Sequence, residues 1–196
     1  MLAYIFWHRP YGVHAQSLYE SALLEFHQQL AHASLSGFKA SAAYRISPTP
    51  WLGEREGYED WYLVDASWAL DPLNLGAVSG RMESPHAAIA ALMETGYGGL
   101  YSLVWGEPVH PPRSRVAWLS RPRGIRYEPV LAELRDRLGG QLSCWRRQMV
   151  LSPAPEFALV GAPSLDPDLP PGWQGRVVER VSIWPTPETS RSGKTT

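Results

Sequence analysis

The sequence predicts an α+β fold built from two consecutive βαββαβ units, each an antiparallel sheet carrying its helices on one face. Three observations lead to it. The chain repeats itself: Arg9-Pro10-Tyr11-Gly12-Val13 returns as Arg121-Pro122-Arg123-Gly124-Ile125, and Leu70-Asp71-Pro72 returns as Leu165-Asp166-Pro167. Behind each copy of the first segment stands the same helical stripe. Tyr19, Leu23, Phe26 and Leu30 are spaced i, i+4, i+7, i+11, and Tyr127, Leu131, Leu134 and Leu138 keep that spacing. Finally, 196 residues that are 44% hydrophobic and 19% charged can bury a sizeable core.

The elements follow in order. Each half opens on a strand, residues 3–9 and 115–121, rich in aromatic and β-branched side chains and stopped by proline. The two striped helices end at turns, Gly37 in the first half and Gly139-Gly140 in the second. Two strands come next in each half. Residues 38–47 and 58–66 are joined across Pro48, Pro50 and Gly53, and residues 142–152 and 156–161 across Pro153-Ala154-Pro155. The first half continues with a helix that Ser84 caps, Pro85 opens and Gly96 ends, then a strand over 100–105. Where the second half would place its second helix stand Pro167, Pro170 and Pro171, so no regular helix is expected there. A strand over 176–184 closes it. This is the ferredoxin-like order written twice: a first unit over 1–105, a linker over 106–114, a second unit over 115–184 and a disordered tail over 185–196.

Composition excludes several function classes. A net charge of −1 argues against a general nucleic-acid binder. No apolar run approaches the roughly 18 residues of a membrane span, and the apolar start at residues 1–7 is too short for a signal peptide. A single cysteine, Cys144, rules out an intrachain disulfide framework and a cysteine-based zinc cluster; it is expected to be an inert strand thiol. A cytoplasmic protein is the expectation. Nine tryptophans suit either a core or a pocket for a flat apolar ligand.

Alternation along the first strand groups Ile5 with Trp7 and Tyr4 with Phe6 and His8. Aligning Arg9-Pro10 with Arg121-Pro122 matches the first set to Ala117 and Leu119, which suit packing under a helix. His8 is then expected to point into a barrel interior. In Gly57-Tyr58-Glu59-Asp60-Trp61-Tyr62, Tyr58, Asp60 and Tyr62 share a face. A buried Asp60 with a raised pKa would serve in proton transfer, unless it pairs with Arg45 across the sheet. His8 and Asp60 are the candidate catalytic groups; Tyr44, Arg45, Tyr62 and His86 are the candidate substrate-binding groups, Arg45 or a tyrosine steadying an anion. His27 and His32 are expected at the surface, His110 in the exposed linker, and His14 near the mouth of the site. No histidine spacing suggests a metal, and no cofactor is expected. Gly96-Tyr97-Gly98-Gly99 follows a helix and precedes a strand, the reverse of a phosphate loop, and reads as a helix stop and turn.

The duplicated strand, the Arg-Pro-x-Gly segments and the Tyr19-Glu20 and Tyr127-Glu128 helix starts resemble the dimeric α/β-barrel superfamily, in some members of which both units are fused in one chain. The run from Trp61 through Leu70 to His86 is similar in placement to stress-responsive and antibiotic-biosynthesis-monooxygenase-like members. The resemblance implies two sheets closing a pseudo-dimeric α/β barrel, in a monomer or a homodimer. It implies activities that range from cofactor-independent monooxygenase or isomerase to haem enzyme or none. Two readings lead: a small-molecule binder or cofactor-independent enzyme with an aromatic-lined pocket for an apolar or aromatic molecule, and a non-catalytic scaffold or partner-binding barrel. Haem binding, through His8 or His86, ranks behind them.

Overall fold

The computed structural model describes residues 1–12, 16–108, 112–138, 143–149, 154–161 and 171–185. The elements are β1 (Leu2–Pro10), α1 (Gln16–His32), β2 (Phe38–Thr49), β3 (Arg55–Val64), α2 (Leu70–Ala77), α3 (Glu83–Leu92), β4 (Met93–Trp105), β5 (Arg113–Ser120), α4 (Tyr127–Leu138), β6 (Ser143–Arg147), β7 (Phe157–Gly161) and β8 (Gln174–Trp184). The strands form a closed antiparallel barrel in the order β1-β3-β2-β8-β5-β7-β6-β4. Around that ring the first four strands run β4-β1-β3-β2 and the last four run β8-β5-β7-β6, so each half holds its first strand between its third and fourth. Pairing of β2 with β8 and of β4 with β6 joins the halves and leaves no open edge. The Leu165-Asp166-Pro167 repeat, Pro170, His14, His110 and residues 186–196 lie outside the described residues.

Side-chain alternation divides the core into three layers. Inside the barrel, Ile5, Trp7, Trp61, Tyr101, Trp118 and Trp145 interlock with small partners such as Ala42, Ala158 and Val178. Trp7 and Trp118 meet edge to face, 5.1 Å between centroids at 72°. A second cluster lies between α1 to α3 and the outer face of β1 and β3, and a third between α4 and the outer face of β5 to β7. Each buried large side chain contributes about 1.5–3 kcal/mol, so these tryptophans stabilise the barrel as its filling.

This corrects the expected faces of β1. Ile5 and Trp7 point into the barrel, and Tyr4, Phe6 and His8 lie under the helices. The second half does match: Ala117 and Leu119 pack under α4, with Val116 and Trp118 inside. The alignment on Arg-Pro thus matched Ile5 and Trp7, which face inward, with Ala117 and Leu119, which face outward, and a one-residue slip reverses every face.

Two other expectations change. β4 begins at Met93, so Gly96-Tyr97-Gly98-Gly99 is strand and not a helix stop. α3 has Met82 in its N-cap position with no side-chain cap, and Ser84 and Pro85 stand inside its first turn. The short helix α2, between two 3-10 turns, is an addition to the expected elements.

Candidate functional site

On the helix side, His8 stands opposite Tyr58, Phe6 opposite Asp60 and Tyr4 opposite Tyr62. The rings along β1 lie nearly parallel: Tyr4 and Phe6 are 6.4 Å apart at 21°, and Phe6 and His8 5.2 Å apart at 20°. Glycines of β4 make room for them. A Cβ on Gly96 would fall 2.5 Å from Phe6 Cζ, and one on Gly98 2.5 Å from the Tyr4 hydroxyl oxygen. Over this floor, Leu73 and Ala77 of α2 and Ile89 of α3 enclose a pocket of about 350 Å³. That volume is within the range of small-molecule sites.

One charged side chain lies in this apolar floor. Asp60 is buried, and its Oδ2 is 3.1 Å from His8 Nε2 and 3.5 Å from His27 Nε2. Neither nitrogen is aligned for a full hydrogen bond, so these are close polar contacts, while the Tyr62 hydroxyl donates to the same oxygen at 3.1 Å. The far nitrogens are held as well. His8 Nδ1 is 2.6 Å from the Tyr19 hydroxyl and His27 Nδ1 is 2.8 Å from Ser41 Oγ. Where Tyr19 and Ser41 donate to the two Nδ1 atoms, both imidazoles turn an Nε2–H toward Asp60. Among the described residues, Oδ1 of Asp60 has no hydrogen-bond partner.

Burial acts to raise the Asp60 pKa, but His8 and His27 outweigh it and hold the carboxyl well below its usual range. Asp60 is therefore ionised, the reverse of the raised pKa expected for it. Burial, reinforced by the Asp60 charge, pushes the Tyr62, Tyr19 and Tyr4 phenols upward, so they remain protonated donors.

Of the residues predicted from sequence, His8, Asp60, Tyr62 and His86 line this one pocket. Tyr44 and Arg45 do not. Tyr44 faces the barrel interior, its ring 4.1 Å below the Arg180 guanidinium, and burial is the main reason its pKa is pushed up to about 12. Arg45 points outward and reaches Glu20 at 3.5 Å, so the expected Asp60–Arg45 pair does not form. His8 lies outside the barrel, and both its ring nitrogens are engaged within the cluster.

His27, expected at the surface, is fully buried. Its signal is present in the chain: it is four residues after Leu23 and three before Leu30, on the apolar stripe of α1. Tyr19 belongs to the same stripe. Cys144 is buried in β6 as expected, and burial raises its thiol pKa, opposed by Arg146. Among the described residues no group of three or more His, Cys, Asp or Glu is disposed to hold a metal ion, and no helix is long and apolar enough to cross a membrane.

No protein-family model and no curated protein matches the chain. Solved structures do. A "putative monooxygenase" from Fusobacterium nucleatum subsp. nucleatum has a TM-score of 0.63 at 6% identity, covering 93% of this chain and 92% of its own. One from Lactobacillus acidophilus NCFM has a TM-score of 0.55 at 10% identity, covering 93% of each chain. An "anthrone oxidase-like protein" has a TM-score of 0.53 at 9% identity, again covering 93% of each. At such identities the likeness is one of fold. The chain has a monooxygenase-like α/β-barrel fold.

Proposed function

We propose that the pocket under α2 and α3 binds a planar apolar molecule carrying one weakly acidic proton, and that the protein is a cofactor-independent oxygenase of such molecules. The observation that carries this reading is the Asp60 carboxylate, ionised and with Oδ1 unpartnered, in a floor otherwise made of flat aromatic rings. A buried charged oxygen without a partner costs about 1–3 kcal/mol or more, and a ligand O–H or activated C–H that reaches the carboxylate relieves that cost. Because the carboxyl is held low, it is ionised and a weak base. The ligand must therefore carry an activated proton, as a phenol or a methylene flanked by aryl rings does.

In the reaction, the Asp60 carboxylate takes the proton from the methylene carbon while the Tyr62 hydroxyl and the two imidazoles hold it at Oδ2. The carbanion supplies the electrons that reduce dioxygen. One oxygen atom becomes the carbonyl and the other leaves as water, carrying the two hydrogens of the methylene. One methylene and one dioxygen thus give one ketone and one water. The names of the monooxygenase and anthrone oxidase-like neighbours support this chemistry, and the shared strand order of the two halves supports descent from a duplicated ferredoxin-like unit.

The test is oxygen uptake with anthrone as the probe. The expected result is one dioxygen consumed per carbonyl formed, with labelled oxygen in the product and a loss of about 100-fold or more in Asp60→Asn. Binding of 2-naphthol at this pocket without oxygen uptake would instead favour the non-catalytic reading, and absence of both would remove the pocket from consideration.

A further inference from the structure

His27 does not line the pocket, yet its Nε2 lies 3.5 Å from the carboxylate that does. Its position is determined from three sides. Nδ1 is 2.8 Å from Ser41 Oγ on β2, its ring is stacked on Tyr62 at 5.5 Å and 15°, and Phe26 meets it edge-on at 5.5 Å.

We propose that His27 is a positioning residue: through Oδ2 it holds the Asp60 carboxylate in place as the charged acceptor of the pocket floor. The proposal rests on the pocket reading above for the ligand, and on geometry alone for the coupling of His27 to Asp60. The arrangement gives the carboxylate two imidazole arms with different duties. His8 lines the pocket and is stacked on Phe6 at 5.2 Å, so it also shapes the surface a ligand would touch. His27 is shut away behind Tyr62 and acts only through Asp60. Ser41 completes the second arm as Tyr19 completes the first.

The titratable groups that face Asp60 are Tyr4 and His8 from β1, Tyr19 and His27 from α1 and Tyr62 from β3; His86 of α3 lines the same pocket. Of these, His8 and His27 favour its ionised form. Loss of the His27 arm must then let Asp60 take up a proton at higher pH than in the wild type.

The experiment compares wild type, His27→Phe, His27→Gln and Ser41→Ala, with two measurements. The first follows the Asp60 carboxyl carbon by NMR during acid titration of the protein without ligand. The second measures affinity for naphthalene, which has no donor, and for 2-naphthol, which has one. In the wild type, 2-naphthol is expected to bind about tenfold or more tighter, the worth of a hydrogen bond to a charged acceptor. His27→Phe should shift the carboxyl titration upward and erase most of that preference, with naphthalene affinity unchanged. His27→Gln keeps an N–H donor without an imidazole and should fall between the two. Should His27→Phe not fold, His27→Gln and Ser41→Ala carry the test, each with a smaller shift in the same direction.

An Asp60 titration that is the same in every variant overturns the proposal whether or not any probe binds. A titration that moves while the wild type prefers 2-naphthol no more than naphthalene removes the ligand reading and leaves the coupling of His27 to Asp60 standing. A preference for 2-naphthol that survives intact in His27→Phe overturns the positioning role.

Discussion

Asp60 shows how a single residue takes its properties from partners far away in sequence. His8 and His27 come from other elements, and each brings its own hydroxyl support in Tyr19 and Ser41. The folded-state pKa of Asp60 is depressed, so the cluster contributes stability above the ordinary carboxylate range and loses it as pH falls toward the folded value. Urea denaturation of wild type and Asp60→Asn across pH should show this. The stability difference between them is expected to shrink in acid, below about pH 4, where the unfolded-state carboxyl starts to bind protons. A difference that stays constant through the acid range would mean that its partners do not hold the Asp60 carboxyl low.

Residue types at Asp60, Tyr62 and His8 were readable from the chain as candidates, because acids and histidines among aromatics are uncommon in strand patterns; His86, in the first turn of α3, was a candidate through the family resemblance. His27 was readable only by treating position 27 as part of the α1 stripe. Arg45 and Tyr44 looked equally suitable, being adjacent on the neighbouring strand. Strand alternation sends Tyr44 inward and Arg45 outward at a point of β2 away from the pocket.

At the scale of the element, β4 departs most from expectation. A run of glycines reads as a turn from composition, yet Gly96 and Gly98 extend the strand because the rings of Phe6 and Tyr4 occupy the space their side chains would fill. The consequence can be measured. Gly98→Ala should cost about 1–3 kcal/mol as the new methyl displaces the Tyr4 ring, and it should weaken naphthalene binding as well, since the displaced ring belongs to the pocket floor. Thermal and urea unfolding give the first quantity and probe titration the second. A fully stable Gly98→Ala protein with unchanged probe affinity would show that the ring relocates without loss.

For the whole molecule, the barrel interior holds a buried ion pair among its tryptophans. Arg180 Nη1 donates to Glu59 Oε1 at 3.1 Å, and Glu59 also accepts from Trp7 Nε1 at 2.9 Å and Trp61 Nε1 at 2.7 Å. Arg180 Nε donates to Ser114 Oγ at 2.9 Å, so the cluster ties β8 to β3, on the far side of β2, and to its neighbour β5. Removing one charge leaves the other buried without its partner. Glu59→Leu and Arg180→Met are each expected to cost about 3–5 kcal/mol, and the double variant much less than their sum. Additive losses in urea unfolding would show that the two charges are not coupled.

Local patterning in the chain was enough for the order of the eight strands and of α1, α3 and α4, though not for α2 or the start of β4, since apolar spacing and proline placement act over a few residues. It also marked the two halves as alike, and the strand sets Tyr58, Asp60, Tyr62 and Glu59, Trp61 fell on opposite faces as their alternation required. Which face became the interior was settled elsewhere, by pairing of β2 with β8 and β4 with β6 and by the meeting of Trp7 with Trp118. Alternation has a period of two and no absolute phase, so a single-residue offset between repeats exchanges inside and outside. Closure of the ring supplies that phase, and with it the place of His8, His27 and Asp60 beneath the helices, outside a barrel already filled by tryptophan.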